Sequence, residues 1–208
     1  MRQKIEIVAE KVLSEVWGKL SSFTIAFVRR NGEVQNLPRE VYDHGNAAAV
    51  LLCDPRRGMV VLARQYRFPV QLNGDNPYLI EVCAGLLDGD APEVCARREA
   101  EEESGYRVAY ISYVFDLYMS PGSLTEKVSC FLATYDPSQR VSAGGGLADE
   151  GEDIEVLEIP FESALDMIRT GEIVDAKTIA LLQHAALTGL FRNDPEGRAM
   201  ESGLAESR

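Results

Sequence analysis

Glu99, Glu102 and Glu103 fall within one turn of what reads as a helix, directly after Arg98. Spacings of three and four residues place all three carboxylates on one helical face. Like charges so spaced repel, and a plain surface helix tends not to stack them. A hard cation with oxygen ligands removes that penalty. Such a cluster can hold a divalent cation. Arg98 stands four residues before Glu102 and can pair with it; Arg97 is placed likewise for Glu101, which points away from the cluster. In isolation a run of three glutamates is more often a solvated face, so its surroundings decide.

The remaining reactive side chains narrow the chemistry. His44 and His184 lie far apart, and Cys53, Cys83, Cys95 and Cys130 form no Cys-x-x-Cys pattern, which argues against zinc. Each cysteine sits in an apolar run, as buried free thiols of a reducing cytoplasm do. A formal net charge of −12 over 208 residues makes the surface repel phosphate backbones, which disfavours nucleic-acid polymers as partners. No stretch of about 18 apolar residues is present to cross a membrane. The start, Met1-Arg2-Gln3-Lys4-Ile5-Glu6, lacks the apolar core of a signal peptide, so a cytoplasmic protein with no membrane partner is expected. Arg67, in Arg64-Gln65-Tyr66-Arg67, can fork onto a phosphate, with a surface salt bridge as its plainer role.

Certain elements must position these groups. Hydrophobic residues make up 46% of the chain, enough for a full core. Ser22 to Val28 is a β-prone run that meets Asn31-Gly32, a strong hairpin signal, so residues 1–43 read as a small antiparallel β subdomain. The main domain is expected over 44–191. Ala47 to Cys53 and Met59 to Ala63 read as strands joined by a turn at Asp54-Pro55-Arg56-Arg57-Gly58, and Leu79 to Cys83 as one short buried strand. Asp90 to Ser104 reads as a helix, with Asp90 and Glu93 as a capping-box-like pair, Pro92 in the first turn and Gly105 as a left-handed C-cap. Val108 to Tyr118, Lys127 to Tyr135 and Ile154 to Ile159 read as strands, Phe161 to Thr170 and Ala176 to Leu190 as helices. Residues 192–208 turn polar and aperiodic, the mark of a frayed tail. The pattern predicts the α+β class, an α/β/α sandwich with a mixed sheet between helices. Gly144-Gly145-Gly146 would give the loop that follows it freedom to close over a ligand, or serve as a plain connector.

The string Gly85-x12-Arg98-Glu99-Ala100-x-Glu102-Glu103-x-Gly105-Tyr106 resembles the signature of the Nudix hydrolases. From Arg98 onward it matches at every specified position. The half before Arg98 is one residue shorter than the usual pattern, with Ala91 where a glutamate is expected and Asp90 at the right distance to take that place. Similarity to the nucleoside diphosphate sugar branch extends through Arg39-Glu40-Val41-Tyr42-Asp43-His44-Gly45-Asn46, Val61 to Arg67, Glu81 to Asp88, Tyr118-Met119-Ser120-Pro121-Gly122 with Glu126, Gly146 to Ile154, and Thr170-Gly171-Glu172-Ile173 with Lys177. The shortened signature with Pro92-Glu93-Val94-Cys95 is similar to the GDP-mannose pyrophosphatases; the Gly146–Ile154 loop looks equally like the ADP-ribose pyrophosphatases.

The resemblance implies a Mg²⁺ or Mn²⁺ site in which the Ala84 carbonyl, Glu99 and Glu103 are ligands and Glu102 sits beside them, direct or through water. It implies that Glu152, with Glu150, lies on a late loop bringing a further ligand or the base that activates water. The substrate would meet Trp17 stacked on its base, Arg39 and Glu40 at the nucleotide, Arg67, Ala84, Gly85 and Leu86 along the pocket, Glu126 at sugar hydroxyls, and Lys177 at a sugar or phosphate oxygen. Members of this branch exchange the N-terminal β unit across a homodimer, so Trp17 and Arg39 would serve the neighbour's site. The implied reaction is hydrolysis of GDP-mannose to GMP and mannose 1-phosphate. Alternatives are ADP-ribose giving AMP and ribose 5-phosphate, a dinucleoside polyphosphate, an oxidised nucleotide, or a silent nucleotide-binding module. Silent members typically lose one of the paired glutamates, and Glu99, Glu102 and Glu103 are all present.

Overall fold

The computed structural model describes residues 5–192. Strands β1 (Ile5–Glu15), β2 (Lys19–Val28) and β3 (Val34–Asp43) form an antiparallel sheet in the order β1-β2-β3. Its second hairpin turns at Asn31-Gly32, where Gly32 takes a φ of 89° and the Arg29 N–H donates to the Glu33 carbonyl at 2.7 Å. All eleven residues of β1 are exposed, and β1 is an edge strand.

The second sheet holds β4 (Ala47–Asp54), β5 (Met59–Tyr66), β6 (Tyr78–Glu81), β7 (Cys83–Leu86), β8 (Tyr110–Tyr118), β9 (Lys127–Thr134) and β10 (Glu155–Pro160). Its order is β10-β5-β4-β9-β8, with β6 on β5 and β7 on β4. β4 runs parallel to β9 and the other pairs are antiparallel, so the sheet is mixed. The helices are α1 (Phe68–Leu72), α2 (Pro92–Ser104), α3 (Phe161–Thr170) and α4 (Ala176–Leu187).

Every residue of β4 is buried, and its alternating side chains feed two cores. Ala47, Ala49, Leu51 and Cys53 pack with Phe161 and Ala164 of α3 and Leu181, Leu182 and Ala185 of α4. Ala48, Val50 and Leu52 pack with Cys95, Ala96 and Ala100 of α2. A central strand covered on both faces explains its unbroken apolar run. The result is the expected α/β/α sandwich with an N-terminal antiparallel sheet.

Several local readings are corrected. The strand expected over Leu79 to Cys83 is broken at Val82, because the Val82 N–H donates to Thr178 Oγ1 of α4 at 2.8 Å instead of pairing within a ladder. Asp90 does not cap α2. The N-cap is Ala91, without a side-chain hydrogen bond, and the Asp90 carboxylate lies 3.6 Å from Arg98 Nε. Gly105 does form the left-handed C-cap, with φ 81°. Arg97 turns to Glu93 at 2.8 Å and to the Val108 and Ala109 carbonyls, while Glu101 pairs with Arg107. The last helix stops at Leu187. The tail read as frayed lies outside the described residues from 193 onward.

Candidate active site

Helix α2 packs its acidic face against β7. Glu103 is fully buried and Glu99 nearly so, and the Ala84 N–H of β7 donates to Glu103 Oε2 at 3.2 Å. The other oxygen, Glu103 Oε1, is buried with no partner among the described residues. Gly85 lets this happen: a Cβ there would run into the Glu99 carboxylate. Burial, the first cause for each, raises Glu99 to about 7 and Glu103 to about 8; neighbouring carboxylates, Glu152 among them, add to both. Two carboxyls pushed up by burial and mutual repulsion, one with an orphaned oxygen, match a hard-cation donor set.

Arg98 gathers the rest of the cluster. Its Nη1 lies 2.8 Å from Glu99 Oε1 and donates to Glu102 Oε2 at 3.1 Å, and Nη2 donates to the Leu86 carbonyl at 3.1 Å. Glu152 Oε2 accepts the Leu147 N–H at 2.9 Å. Among the described residues no three His, Cys, Asp or Glu side chains are already gathered as a cage.

The late loop is fastened to α2 itself. The Gly145 N–H donates to the Glu103 carbonyl at 2.9 Å and the Gly146 N–H to the Glu102 carbonyl at 3.1 Å. Gly144, Gly145 and Gly146 all have positive φ, and a Cβ on Gly144 would come within 2.5 Å of the Glu103 carbonyl oxygen. The triglycine run therefore caps the end of α2 by close backbone approach and is no free hinge. The loop that follows brings Glu150 and Glu152 close enough to Glu99 for their charges to act on it.

Between these walls lies a cleft of about 690 Å³ lined by Trp17, Arg67, Arg98, Glu99, Glu150 and Glu152, with Ala84, Gly85 and Leu86 at its floor. A cavity of about 340 Å³ shares Trp17, Arg67 and that floor and adds His44, Glu126 and Lys177. The structure thus brings together most of the residues named from the sequence; Glu102 and Glu103 line neither cavity, Glu102 being held by Arg98 and Glu103 being buried against the Ala84 N–H. Arg39 and Glu40 line neither cavity of their own chain; both are exposed on β3, and Arg39 Nη1 donates to the Pro38 carbonyl. Trp17 reaches the cleft of its own chain, stacked on His44 with ring centroids 5.1 Å apart.

Sequence reasoning missed Glu81, which is almost wholly buried under the cleft. It takes a two-pronged hydrogen bond from Arg67, at 2.7 and 3.1 Å, and a bond from Lys177. Burial alone would raise Glu81, but the Lys177 and Arg67 charges reverse that and hold it at about 2. Its signal was an acid placed between Ile80 and Val82 in an apolar strand, where a buried charge must have partners.

Comparison with known proteins gives the family. The NUDIX domain family model matches residues 43–182, and the model of the GDP-mannose pyrophosphatase NudK N-terminal domain matches 4–42. The chain is 53% identical over 193 residues to a GDP-mannose pyrophosphatase of Enterobacter sp. (strain 638), covering 92% of this chain and 100% of that protein. It is 51% identical over 192 residues to one from Escherichia coli (strain SMS-3-5 / SECEC), with the same two coverages. A solved structure described as an ADP compounds hydrolase superposes with a TM-score of 0.69 at 21% identity, covering 91% of this chain and 97% of that one, a likeness of fold alone. Nudix hydrolases generally use divalent metal ions. Among the described residues no helix is long and apolar enough to cross a membrane. With the family model spanning most of the chain and curated relatives matched along their full length, this protein belongs to the Nudix family.

Proposed function

We propose that this chain hydrolyses the diphosphate bond of a nucleoside diphosphate sugar, with GDP-mannose as substrate and GMP and mannose 1-phosphate as products. The observation that carries the reading is Glu103: a fully buried carboxylate with one orphaned oxygen, hydrogen-bonded to Ala84, which with Glu99 lines a cleft of about 690 Å³. When bound, Mg²⁺ or Mn²⁺ supplies charge to offset that of the diphosphate and acidifies a water. Glu99, Glu103 and the Ala84 carbonyl would hold it. Glu152 or Glu150, which share the cleft with Glu99 and Ala84, takes the proton as water adds to one phosphorus and the bridging P–O bond breaks toward the other phosphate. Trp17 offers the base a stacking surface, and Arg67 and Lys177 supply cations to the second cavity. Glu126 in the same cavity is placed for sugar hydroxyls.

The reading extends to assembly and compartment. β1 is a long edge strand exposing Ile5, Ile7, Val8, Val12 and Leu13, the kind of edge that pairs with another chain. It supports a homodimer built through an N-terminal unit of residues 1–43, with 44–191 as the catalytic domain; a partner copy would then bring Arg39 and Glu40 toward a cleft. Four free, buried cysteines suit the reducing cytoplasm. The test of the reaction is to incubate the protein with GDP-mannose in Mg²⁺ and in EDTA and separate the products. GMP and mannose 1-phosphate in equal amounts, only with metal, is the expected outcome. GDP plus mannose, or no cleavage of any nucleoside diphosphate sugar, overturns the reading.

A further inference from the structure

Under the 340 Å³ cavity lies a closed set of four charges. Glu81, at the end of β6, takes Nε and Nη2 of Arg67 and the ammonium of Lys177. Lys177 also donates to Asp175 Oδ1 at 2.9 Å. Asp175 in turn caps α4, its other oxygen accepting from the Thr178 N–H at 2.9 Å and the Thr178 hydroxyl at 2.6 Å. Thr178 Oγ1 accepts the Val82 N–H at the break between β6 and β7. The helix start, the strand break and the buried carboxylate are therefore one fastened unit.

The set has a consequence at the cavity. A guanidinium forks, and Arg67 commits two of its nitrogens to Glu81, which leaves Nη1. An ammonium has three N–H groups, and Lys177 commits two. Both cations line the cavity, with Glu81 at its base. Two positive and two negative charges cancel within the set, so the cations can line the cavity, Arg67 with three uncommitted N–H groups and Lys177 with one. Lys177 is only 12% exposed at its side chain and would find that position costly without both carboxylates.

We propose that Glu81 is a positioning residue for substrate binding: it fixes Arg67 and Lys177 as a paired donor site for an anionic phosphate oxygen of the substrate. This rests on the substrate class given above. Glu81 touches neither the reacting atoms nor the cation donor set. It acts through the two side chains it holds, so its removal changes how substrate is held more than how the bond is broken.

The experiment is steady-state kinetics of Glu81→Gln beside wild type, with GDP-mannose or whichever nucleoside diphosphate sugar wild type cleaves best. KM is expected to rise about tenfold or more, while kcat stays within about threefold and the Mg²⁺ concentration for half-maximal rate does not move. Glu81→Asp, which keeps the charge, should recover part of the loss. A folded Glu81→Gln whose KM lies within about twofold of wild type, or whose loss is all in kcat, overturns the proposal. Should Glu81→Gln fail to fold, Lys177→Met carries the same test with the same limits. Calorimetric binding of GDP-mannose with Ca²⁺ in place of Mg²⁺ separates this proposal from the reaction assigned above. Weaker binding by the variant supports the donor site even if wild type proves not to turn the compound over, and equal binding overturns it.

Discussion

Glu103 is the residue on which the chemistry turns, because it is buried, carboxylate-bearing and half unsatisfied. Glu103→Gln keeps the shape and removes the charge. It should cut kcat by about two orders of magnitude or more, as expected when a metal ligand worth a few kcal/mol of transition-state stabilisation is lost. A variant within about threefold of wild type in saturating Mg²⁺ would count against the role. The raised pKa values make a second prediction. Glu99 and Glu103 ionise near 7 and 8 when folded and near 4.5 when unfolded. Between pH 4.5 and 8 the unfolded chain holds fewer protons, so metal-free stability falls as pH rises through that window. A bound divalent cation favours the ionised carboxylates and releases their protons. Mg²⁺ should therefore raise the melting temperature more at pH 8 than at pH 6, read by paired thermal melts; an equal or reversed increment would contradict it. At this scale the spacing and the motif singled out Glu99, Glu102 and Glu103, while Arg67, read as a phosphate fork or a salt bridge, makes a salt bridge to Glu81. The sequence hid Glu81 and Asp175, because a strand acid and a helix cap find their partners, Arg67 and Lys177, only in three dimensions.

Among the elements, the late loop departs most from its sequence-based reading. Three glycines suggest freedom, yet here they let the backbone close on the carbonyls that end α2. Gly144→Ala should cost about 1–3 kcal/mol of stability, since its φ of 72° disfavours a side chain and a Cβ would press on the Glu103 carbonyl. Activity should fall with it as Glu152 is displaced. Gly122→Ala, at a position with open space around it, should change the denaturation midpoint little. Equal midpoints for the two variants would sink the packing account. The strands and the longer helices were legible because β4 carries an unbroken apolar run and Phe161–Thr170 an amphipathic one. The break at Val82 was not legible, since the bond from its amide to Thr178 spans 96 residues. Asp90 misled for a similar reason: a cap-forming residue beside Pro92 is drawn instead toward Arg98.

The whole molecule joins two sheets of different character, one with cores on both faces and one with an exposed edge. If β1 pairs with a second copy, sedimentation should give a dimer for wild type, and Ile7→Glu combined with Val12→Glu should shift it to monomer with the catalytic domain still folded. A wild type that sediments as a monomer at micromolar concentration would remove the assembly from the account. The fold class, the mixed sheet and the N-terminal β unit were all readable from periodicity and turn chemistry. The choice of base was not, because hydrogen bonds to a base edge come from groups that no motif marks. The central claim is tested most directly by kcat/KM of the wild-type protein for GDP-mannose and for ADP-ribose, measured side by side in the same Mg²⁺ with nucleotide products separated. GDP-mannose should be preferred, with GMP as the nucleotide product; a tenfold or greater preference for ADP-ribose would contradict the substrate assignment, and no turnover of either compound or of any other diphosphate would contradict the enzyme itself.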